Sequence, residues 1–489
     1  MKTYRALVNG EWKTSSSDQF IISYNPYNQE GWARIPQMTE GEISASVQFA
    51  YKVFKEWKKT SGLERASLLH RLADLIEENA EHLAIIESKD NGKIINETKN
   101  QVMFTARNYR YFAGYADKLV GNLIPLDNKD LLDYTSMEPL GVVALITAWN
   151  SPLSLLANKL APALATGNTV VIKPSEYASV STLEFGKLIQ EAGFPPGVVN
   201  IITGDGQTGD TLIRHPLISK VSFTGGAQTA RVISRAVSEN LIPITLELGG
   251  KSPNIIFEDA DLEEATVGAI AGIFGASGQT CIAGSRLLVQ RTILDEIISG
   301  LRRITETIKL GNPLNSSTQM GPVANLAQFN KILQMIESAN EEGAELICGG
   351  SALEHKDLNG YFIKPTIFYT ENPNLTIACE EVFGPVLTVI PFDTEEEAIY
   401  LANNTVYGLS AGIWSRDIKR ALRMAQNIEA GNVWINTYRT SAIGAPFGGT
   451  KQSGYGRERS WHTLYEYTQM KNVMINLSEE KRNPFSIQL

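Results

Sequence analysis

The chain has 489 residues, of which 43% are hydrophobic and 20% charged, which is typical of a globular protein and long enough for two or three domains. Its net charge of -9 comes from 53 acidic and 44 basic residues without a Lys/Arg block, so we expect no binding to nucleic acid or anionic membranes. The start lacks an apolar signal core and no apolar run approaches the roughly 20 residues of a membrane-spanning helix, which indicates a cytoplasmic protein.

The cysteines and histidines exclude two further classes of site. Three scattered cysteines, at 281, 348 and 379, are too few for a disulfide framework in a chain of this length, so we expect reduced thiols. The histidines show neither HExxH nor Cys/His ligand spacing, and we expect no metal centre. These histidines are His70, His82, His215, His355 and His462.

The first predicted element along the chain is a helical layer. From about residue 41 to 119 apolar residues recur at helical spacing, and Ser61 is placed to cap the second helix. From Gly141 onward short β-branched runs alternate with helices. This alternation predicts a parallel, doubly wound sheet with ligands at its strand ends. The predicted strands are VVALIT, TVVIK, VVNIIT, KVSFT and PITLEL.

A second alternating series predicts a second α/β domain. Its helices include FNKILQMIESANEEGAEL. Its strands are SPNIIF, SRLLVQ, KPTIFY, PVLTVIPF, LSAGIWS and GNVWIN. Two further segments, TSMEPLG near Thr135 and the tail TLYEYTQMKNVMINLS, are predicted as strands outside both sheets. Exposed strands of this kind often pair with another subunit.

Two glycine-rich turns compete as the phosphate site of a dinucleotide. ITGDGQTGD matches G-x-G-x-x-G at Gly204, Gly206 and Gly209, but the acidic residue expected about twenty positions later is absent from SFTGG. In SFTGG itself, Gly225 and Gly226 lie between a strand and a helix, where helix N-terminal amides bind phosphate. Each turn alone is explained as well by a tight βα turn that needs glycine. Two such turns in one sheet favour a nucleotide site.

Lys173 ends the strand TVVIK, and Glu176 follows three residues later. Alone this is a solvated surface pair, but beside a nucleotide-binding sheet both side chains can reach the adenosine ribose. A carboxylate there repels the 2′-phosphate of NADP, at a cost on the order of 4 kcal/mol for like charges about 4 Å apart. We therefore expect NAD as the cofactor, with NADP as a weaker one.

Three residues indicate a chemistry. Cys281, in GQTCIAGSR, lies among small residues that let a substrate approach its thiol, whereas Cys348 and Cys379 are predicted as small buried hydrophobes. Glu247 ends the apolar strand PITLEL, where it either faces water or is buried as a general base with a raised pKa. Asn150 follows VVALIT and either forms an Asx-turn or donates to an oxyanion. A thiol that attacks a carbonyl and a carboxylate that activates water are the two protein groups needed to oxidise an aldehyde to an acid.

An ordered set of motifs over nearly the whole chain resembles the aldehyde dehydrogenase superfamily: AWNSPL, TVVIKPSE, SFTGG, LELGGKSP, GQTCIAGSR, MGPV, EEVFGPV, GNVWIN and PFGGTKQSGYGRE. The resemblance implies the α/β fold class, with a Rossmann-like cofactor domain, an α/β catalytic domain and a small β oligomerisation element that makes dimers or tetramers. The implied ranges are 1–120 and 141–246 for the cofactor domain, 247–450 for the catalytic domain, and 121–140 with 451–489 for the oligomerisation element.

The resemblance also implies the site residues. Cys281 corresponds to the nucleophile, Asn150 and the Cys281 amide to the oxyanion donors, and Glu247 to the deacylation base. Lys159 and Glu458 correspond to supporting positions. The implied cofactor residues are Thr147, Trp149, Asn150, Lys173, Ser175, Glu176, Gly206, Gly209, Phe223, Thr224, Gly225, Gly226, Thr229, Glu247, Leu248, Gly249, Gln328, Lys331, Glu381 and Phe383.

Within that set, the family places the pyrophosphate at FTGG and puts Gly206 and Gly209 near the adenine. One position departs from the pattern, because Gly226 replaces the usual serine and removes a hydroxyl contact to phosphate. The implied substrate tunnel combines bulky and small polar residues, so we expect it to be roomier and more polar than in some relatives. Its members are Phe104, Ser151, Leu155, Asn158, Thr280, Ile282, Arg439, Ser441 and Phe447.

These residues predict the NAD-dependent oxidation of a medium-sized aldehyde with polar substituents. Cys281 forms a thiohemiacetal and then a thioester, and Glu247 directs water onto the thioester. Arg439 either faces an acidic or polar substrate or makes a surface salt bridge. The alternatives are a CoA-acylating semialdehyde dehydrogenase, which does not need Glu247, a Cys/His thiol hydrolase, and a non-catalytic binding or structural relative.

Overall fold

The computed structural model describes residues 1–354, 356, 358–479 and 485. His355 and the tail residues 480–484 and 486–489, which belong to the range predicted for the oligomerisation element, lie outside the described residues. Within the described part of the chain, no helix is long and apolar enough to cross a membrane.

Helices and strands alternate through most of the chain, as the sequence predicts. The helices are α1 (Glu40–Trp57), α2 (Gly62–Glu78), α3 (Ala80–Asn91), α4 (Ile95–Ala113), α5 (Pro152–Ala165), α6 (Val180–Ala192), α7 (Gly206–Arg214), α8 (Ala227–Ser238), α9 (Leu262–Phe274), α10 (Leu294–Thr305), α11 (Leu326–Glu341), α12 (Thr376–Cys379), α13 (Glu395–Asn403), α14 (Ile418–Asn427) and α15 (Thr463–Glu466), with 3₁₀ turns at Gly275–Gly278 and Arg291–Ile293.

The strands are β1 (Lys2–Thr3), β2 (Ala6–Val8), β3 (Glu11–Lys13), β4 (Phe20–Asn25), β5 (Glu30–Pro36), β6 (Leu123–Ile124), β7 (Leu131–Pro139), β8 (Val142–Ile146), β9 (Thr169–Lys173), β10 (Val199–Ile201), β11 (Ile218–Thr224), β12 (Ile244–Glu247), β13 (Pro253–Ile256), β14 (Arg286–Gln290), β15 (Glu345–Cys348), β16 (Thr366–Tyr369), β17 (Val386–Phe392), β18 (Tyr407–Gly408), β19 (Ser410–Trp414), β20 (Asn432–Ile435), β21 (Thr450–Lys451), β22 (Gly454–Tyr455) and β23 (Thr468–Asn476).

The predicted helical layer consists of α1 to α4. Thr39 caps α1 in a capping box with Glu42, and the Ser61 side chain accepts from the Glu64 amide at the start of α2. Each cap satisfies an amide that the first helical turn leaves without a partner. The prediction of Ser61 as a helix cap is confirmed.

The first sheet has the strand order β22-β12-β11-β8-β9-β10-β2-β3. Its central strands, β12 to β10 in that order, are parallel, and the chain order reverses on either side of β8. This is the doubly wound arrangement in which ligands bind at the carboxyl ends of the strands where the order reverses. The antiparallel edge strand β22 comes from residues within the range 451–489, so part of that range completes the first sheet instead of standing apart from it.

Strand β8 shows how the core is divided. Val143 and Leu145 pack with α2, α4 and α5 on one face, whereas Val142, Ala144 and Ile146 pack on the other. Successive side chains of a strand point to opposite faces, so a fully apolar strand such as β8 is buried on both sides.

The second sheet has the order β15-β16-β17-β14-β13-β19-β20 and is parallel except at β15. Its strands correspond to the second alternating series of strands and helices in the sequence. The predicted helix FNKILQMIESANEEGAEL ends earlier than expected, because Gly343 adopts a φ of 85° and reverses the chain. The amides of Gly343 and Ala344 donate back to the carbonyls of Asn340 and Ala339, a Schellman motif that ends α11 before β15.

Strands β23, β7 and β6 form a separate antiparallel sheet in which Thr468 pairs with Pro139 and Asn476 with Leu131. The two segments predicted as strands outside both main sheets are thus paired with each other. A further small sheet at the amino terminus, in the order β1-β5-β4, has no counterpart in the sequence prediction.

Candidate active site

A cleft of about 270 Å³ opens at the carboxyl ends of β8, β9 and β11. Twelve residues predicted to bind a dinucleotide line it: Thr147, Trp149, Lys173, Ser175, Glu176, Gly206, Gly209, Phe223, Thr224, Gly225, Gly226 and Thr229. Sequence reasoning missed several other lining residues, namely Ile146, Ala148, Asp210, Ile213, Val232 and Ile233. Three of these six are large apolar residues of helical segments, which a sequence shows only as core.

The two glycine-rich turns differ at the helices that follow them. At the start of α7, the Asp205 side chain accepts from the amides of Gln207 and Thr208. At the start of α8, the N-cap is Gly226, which has no side chain to cap the helix, and a Cβ placed on Gly226 would meet nothing within 4 Å. The first turn of α8 therefore presents free amides to open space, which is the arrangement that binds phosphate.

Lys173 and Glu176 form an ion pair on the wall of this cleft. The Lys173 Nζ donates to Glu176 Oε2 at 3.2 Å, with Lys173 buried and Glu176 half-buried. The alternative of a fully solvated surface pair is therefore wrong. Both charged groups face the volume that the strand ends enclose.

A second cavity of about 220 Å³ adjoins the first and shares Ala148, Trp149, Thr224, Gly225 and Gly226 with it. Nine further residues predicted for catalysis or cofactor binding line this second cavity. These residues are Asn150, Glu247, Leu248, Gly249, Cys281, Gln328, Lys331, Glu381 and Phe383, together with the predicted tunnel residue Leu155. The two cavities are thus continuous, and they lie between the strand ends of the first sheet and the loops of the second sheet.

Glu381 is fixed by backbone contacts on one side of the second cavity. Its Oε1 accepts from the Gly250 amide at 3.0 Å, and a Cβ on Gly249 would lie 2.1 Å from its other oxygen. The Lys331 Nζ donates to the Glu381 carbonyl, and Gln328 donates to the Phe383 carbonyl at 3.0 Å. Only glycine at position 249 leaves room for this carboxylate.

Phe383 stands edge-on to Trp149, with ring centroids 5.3 Å apart and planes at 89°. Its backbone has a φ of 56°, an uncommon conformation for an aromatic residue. Such conformations persist where surrounding contacts fix them, and the Gln328 bond to the Phe383 carbonyl is one of these contacts. The aromatic pair forms an apolar wall beside the thiol.

Cys281 follows the 3₁₀ turn Gly275–Gly278, in a loop that packs against the EEVFGPV segment. Gly278 has a φ of 71°, and a Cβ on it would lie 2.0 Å from the Gly384 carbonyl oxygen, so only glycine permits this contact. Burial, followed by the charges of Glu247 and Glu381, raises the pKa of the Cys281 thiol to about 12. The protein groups alone therefore keep the thiol protonated at neutral pH.

Asn150 lines the second cavity together with Cys281. Its side-chain Nδ2 donates to the Gln279 carbonyl at 3.0 Å, two residues before the cysteine. Its backbone carbonyl accepts from Lys93 Nζ at 2.5 Å and from Asn91 Nδ2 at 3.3 Å. One of the two Nδ2 hydrogens remains for a ligand in the cavity.

Glu247 ends β12 and is 4% exposed. Among the described residues, neither of its carboxylate oxygens has a hydrogen-bond partner. Burial, followed by the charge of Glu458, raises the pKa of Glu247 well above its ordinary value, and Lys159 opposes this shift. The predicted direction for a general base is confirmed, and the water-facing alternative is wrong.

The charge that acts on Glu247 belongs to a buried ion pair. Lys159 Nζ lies 2.5 Å from Glu458 Oε1 and 3.2 Å from Ser222 Oγ, and both ionic side chains are almost fully buried. Charged groups this far from water are kept in a protein only when they are paired.

The predicted tunnel residues are only partly brought together. Ile282 and Phe447 pack in one apolar cluster with Leu409, and Cys281 packs against it. Ser151 accepts from Lys93 at 2.7 Å, and Asn158 is buried against Asn108 at 3.0 Å.

Thr280 and Arg439 lie elsewhere in the surrounding loops. The Thr280 carbonyl accepts from the Ala283 amide, within the turn that carries Cys281. Arg439 donates to the Ala271 carbonyl at 3.2 Å, so its charge meets the end of α9 instead of forming the surface salt bridge considered from the sequence.

Sequence reasoning missed Arg459, the residue after Glu458. Its guanidinium lies 4.3 Å from the Phe447 ring centroid and 5.6 Å from that of Phe104, and its Nη1 is 3.3 Å from Ser441 Oγ. Three predicted tunnel residues therefore surround it. The available signal was a second charge beside Glu458 in GRERS.

The remaining thiols lie apart from this site. Cys348 and Cys379 are free and half-buried, and burial raises the pKa of both. Within the described part of the chain, no group of three or more His, Cys, Asp or Glu residues could hold a metal ion.

The fold and site have the form found in dehydrogenases that act through a cysteine. Residues 12–473 match the model of the aldehyde dehydrogenase family, and the chain belongs to that family. The chain is 44% identical to a (Z)-2-((N-methylformamido)methylene)-5-hydroxybutyrolactone dehydrogenase of Acinetobacter baylyi, over 98% of each chain. It is 43% identical to a betaine aldehyde dehydrogenase of Bacillus subtilis, over 98% of this chain and 99% of that one.

Solved structures agree with this membership. A betaine aldehyde dehydrogenase of Staphylococcus aureus in complex with NAD+ has a TM-score of 0.97 and 40% identity, covering 99% of this chain and 97% of that one. An aldehyde dehydrogenase of Bacillus cereus in complex with NAD+ has a TM-score of 0.95 and 43% identity, covering 97% of each. The predictions of family and fold class are confirmed.

Proposed function

We propose that this enzyme oxidises an aldehyde to the carboxylic acid with NAD, using Cys281 as the nucleophile and Glu247 as the base that hydrolyses the thioester. One observation carries the proposal. Cys281, Asn150 and Glu247 line a single cavity that continues into a cleft with the features of a dinucleotide site. Relatives with solved structures and similar sequences hold NAD+.

The residues of the cleft fit NAD. The free amides of the first turn of α8 face open space at Gly226 and would hold the pyrophosphate. Lys173 and Glu176 would hold the adenosine ribose, and Glu381 with Phe383 would hold the nicotinamide end. When bound, NAD supplies the acceptor for the hydride that the substrate carbon loses as the Cys281 adduct becomes a thioester.

The nucleophilic step requires that Cys281 lose its proton. Burial raises the pKa of the thiol in the free enzyme. The positive charge of the nicotinamide end of NAD, when bound, would favour the thiolate, and the proton passes to water in the cavity. The sulfur then bonds to the carbonyl carbon, and the oxygen gains the negative charge that Asn150 Nδ2 and the Cys281 amide stabilise.

Hydrolysis of the thioester uses the Glu247 carboxylate. Glu247 takes a proton from water as the water oxygen attacks the acyl carbon, and the thiolate leaves. A raised pKa makes Glu247 a stronger base than a solvated carboxylate. The Lys159–Glu458 pair supports this step, because the negative charge of Glu458 contributes to the raised pKa.

The cleft also supports a preference for NAD over NADP. Glu176 is paired with Lys173 at 3.2 Å, and its second oxygen is left for a ribose hydroxyl. A 2′-phosphate at that point would meet this carboxylate, while Lys173 would offset part of the repulsion. Because Gly226 has no hydroxyl group, only backbone amides would bind the pyrophosphate at this turn.

We propose a homodimer or homotetramer, with an oligomerisation element built from β6, β7 and β23. Apolar side chains that are exposed on this sheet support it, and they are Leu123, Ile124, Tyr134, Met470, Met474 and Ile475. Exposed apolar groups on strands outside a main sheet are typical of surfaces between subunits. The cofactor domain (1–120 and 141–246), the catalytic domain (247–450) and a cytoplasmic location remain part of the proposal.

The test is NADH absorbance with a panel of aldehydes, each assayed with NAD and with NADP. We expect NADH to form with NAD and the free acid to be the product. Added CoA should yield no acyl-CoA, because Glu247 directs water to the thioester. The variant Cys281→Ala is the control and should form no NADH. NADH formation by that variant, or acyl-CoA as the main product, would overturn the proposal.

A further inference from the structure

Arg459 is a half-buried cation with one buried donor that has no partner in the described part of the chain. Its Nε is buried and, among the described residues, has no hydrogen-bond partner. No described carboxylate forms an ion pair with it within 4.0 Å, and the adjacent Glu458 is engaged by Lys159. Burying an unpaired polar donor or charge is costly, so an anionic ligand that pairs with this guanidinium would be favoured.

The position of Arg459 follows from a local backbone contact. Phe447 and Glu458 pair through two backbone hydrogen bonds of 3.0 and 2.8 Å, which bring the next residue, Arg459, over the Phe447 ring. Phe447 packs in the apolar cluster that Cys281 contacts. The guanidinium and Cys281 therefore both border the cluster that contains Phe447.

The backbone of Arg459 adopts a conformation that is unfavourable for a residue with a side chain. Its φ is 69°, in the left-handed region that favours glycine. A side chain in this region costs conformational energy. Residues in such conformations cluster at functional sites, where surrounding contacts fix the direction of the side chain. Here the guanidinium lies 4.3 Å from the Phe447 ring centroid and 5.6 Å from that of Phe104, and Ser441 accepts from its Nη1 at 3.3 Å.

We propose that Arg459 binds a carboxylate on the substrate, so that the enzyme prefers aldehydes that also carry an acid group over neutral or cationic aldehydes. This inference rests on the proposed function and adds the substrate class. A guanidinium presents parallel N–H donors that match the two oxygens of a carboxylate. The nearby Phe447 and Phe104 rings give the guanidinium a partly apolar surrounding, in which an ion pair is stronger than in water.

The electrostatics of the site agree with this assignment. Burial lowers the pKa of Arg459, while the charges of Glu458, Cys281 and Glu247 raise it. Arg459 therefore lies within the field of both reacting side chains and remains a cation. A quaternary ammonium on the substrate would be repelled by the same charge.

The experiment compares kcat/KM for succinate semialdehyde, butanal and betaine aldehyde with NAD. In the unchanged enzyme we expect succinate semialdehyde to exceed butanal and butanal to exceed betaine aldehyde. The variant Arg459→Gln should reduce the ratio of succinate semialdehyde to butanal by about 10- to 100-fold, the range of one hydrogen-bonded charge pair. The variant should lower kcat/KM for succinate semialdehyde mainly by raising KM. Arg459→Lys should restore part of the ratio.

Arg416→Gln is the matched control, because Arg416 is exposed and paired with Asp261 at 3.3 Å, and it should leave that ratio unchanged. An unchanged ratio in Arg459→Gln overturns the inference. So does an equal loss for all three aldehydes with a shifted pH profile, since Arg459 would then act on Cys281. NADH formation with butanal but without preference for succinate semialdehyde overturns the inference alone, whereas no NADH with any aldehyde overturns the proposed function.

Discussion

Lys159 holds Glu458 through a 2.5 Å contact in the interior, where the two side chains are 0% and 2% exposed. The pair lies beside Glu247, whose pKa Glu458 raises and Lys159 lowers. The two charges therefore act on the proposed base as a unit.

Removing one partner of this pair should destabilise the protein strongly. Glu458→Gln leaves a buried ammonium without its counter-charge, and we expect a loss of about 3–5 kcal/mol in the free energy of unfolding. The double variant Lys159→Met with Glu458→Leu removes both charges and should lose less. Denaturant unfolding measures this, with Glu56→Gln in the exposed Lys59 pair as the control that changes little. A double variant less stable than Glu458→Gln would contradict the account.

The same substitution should change the pH dependence of catalysis. Without the Glu458 charge, and with Lys159 unpaired, the pKa of Glu247 falls towards its ordinary value. A base must be ionised to act, so activity rises with pH through its pKa. The acidic limb of the kcat profile should therefore move to lower pH in Glu458→Gln, and a shift to higher pH would show that Glu458 does not act on Glu247.

Glu247→Gln should stabilise the folded protein in a pH-dependent way. The buried carboxyl keeps its proton above the pH at which the unfolded chain releases it, so the unchanged protein loses stability as the pH rises above about 4.3 until the raised folded pKa is reached. Glutamine has no such proton, so the difference in Tm between the variant and the unchanged protein should grow from pH 5 to pH 8, to a few °C at most. Calorimetry tests this, with the exposed Glu191→Gln as control. A constant difference would contradict the raised pKa.

Alkylation of Cys281 should be slow at neutral pH, and its rate should increase steadily as the pH rises. Since burial and two carboxylates raise the pKa of this thiol to about 12 and the thiolate is the reactive form, its rate in the free enzyme should rise about tenfold per pH unit between pH 7 and pH 10. Mass spectrometry of the Cys281 peptide after iodoacetamide treatment separates it from Cys348 and Cys379. A plateau near pH 8 would show that other groups stabilise the thiolate.

Glu176 should control the choice between the two nicotinamide cofactors. Glu176→Gln removes the negative charge beside Lys173, and the ratio of kcat/KM with NAD to that with NADP should fall by about 10- to 100-fold. Asp210→Asn is the control, because Asp210 lines the same cleft but is paired with Arg214 at 2.8 Å. An equal change in both variants would mean that the ratio depends on the net charge of the cleft.

Much of the site could be predicted because it follows strand ends. Asn150, Lys173, Thr224 and Glu247 come directly after or at the end of strands of one parallel sheet, and parallel strands bring such residues to one edge. The strands themselves are clear in the sequence as short β-branched runs. The family motifs then add loop residues such as Glu381 that strand pattern alone does not indicate.

The features that escaped prediction depend on tertiary contacts. Arg459 reaches the tunnel only because Glu458 pairs with Phe447 across the loop between them, and no spacing in the sequence encodes that pairing. The raised pKa of Cys281 depends on burial and on two carboxylates from distant segments. The chain reversal at Gly343 was overlooked because the apolar pattern of the helix runs on into β15.

The most direct test of the central claim is the mass of the trapped enzyme. Glu247→Gln mixed with NAD and a reactive aldehyde should form about one equivalent of NADH per subunit in a burst and then release acid slowly, because the thioester forms but is not hydrolysed. Acid quenching within the burst, followed by peptide mass spectrometry, should find the acyl group on Cys281. A normal steady-state rate, or a burst with no acyl group on Cys281, would contradict the account.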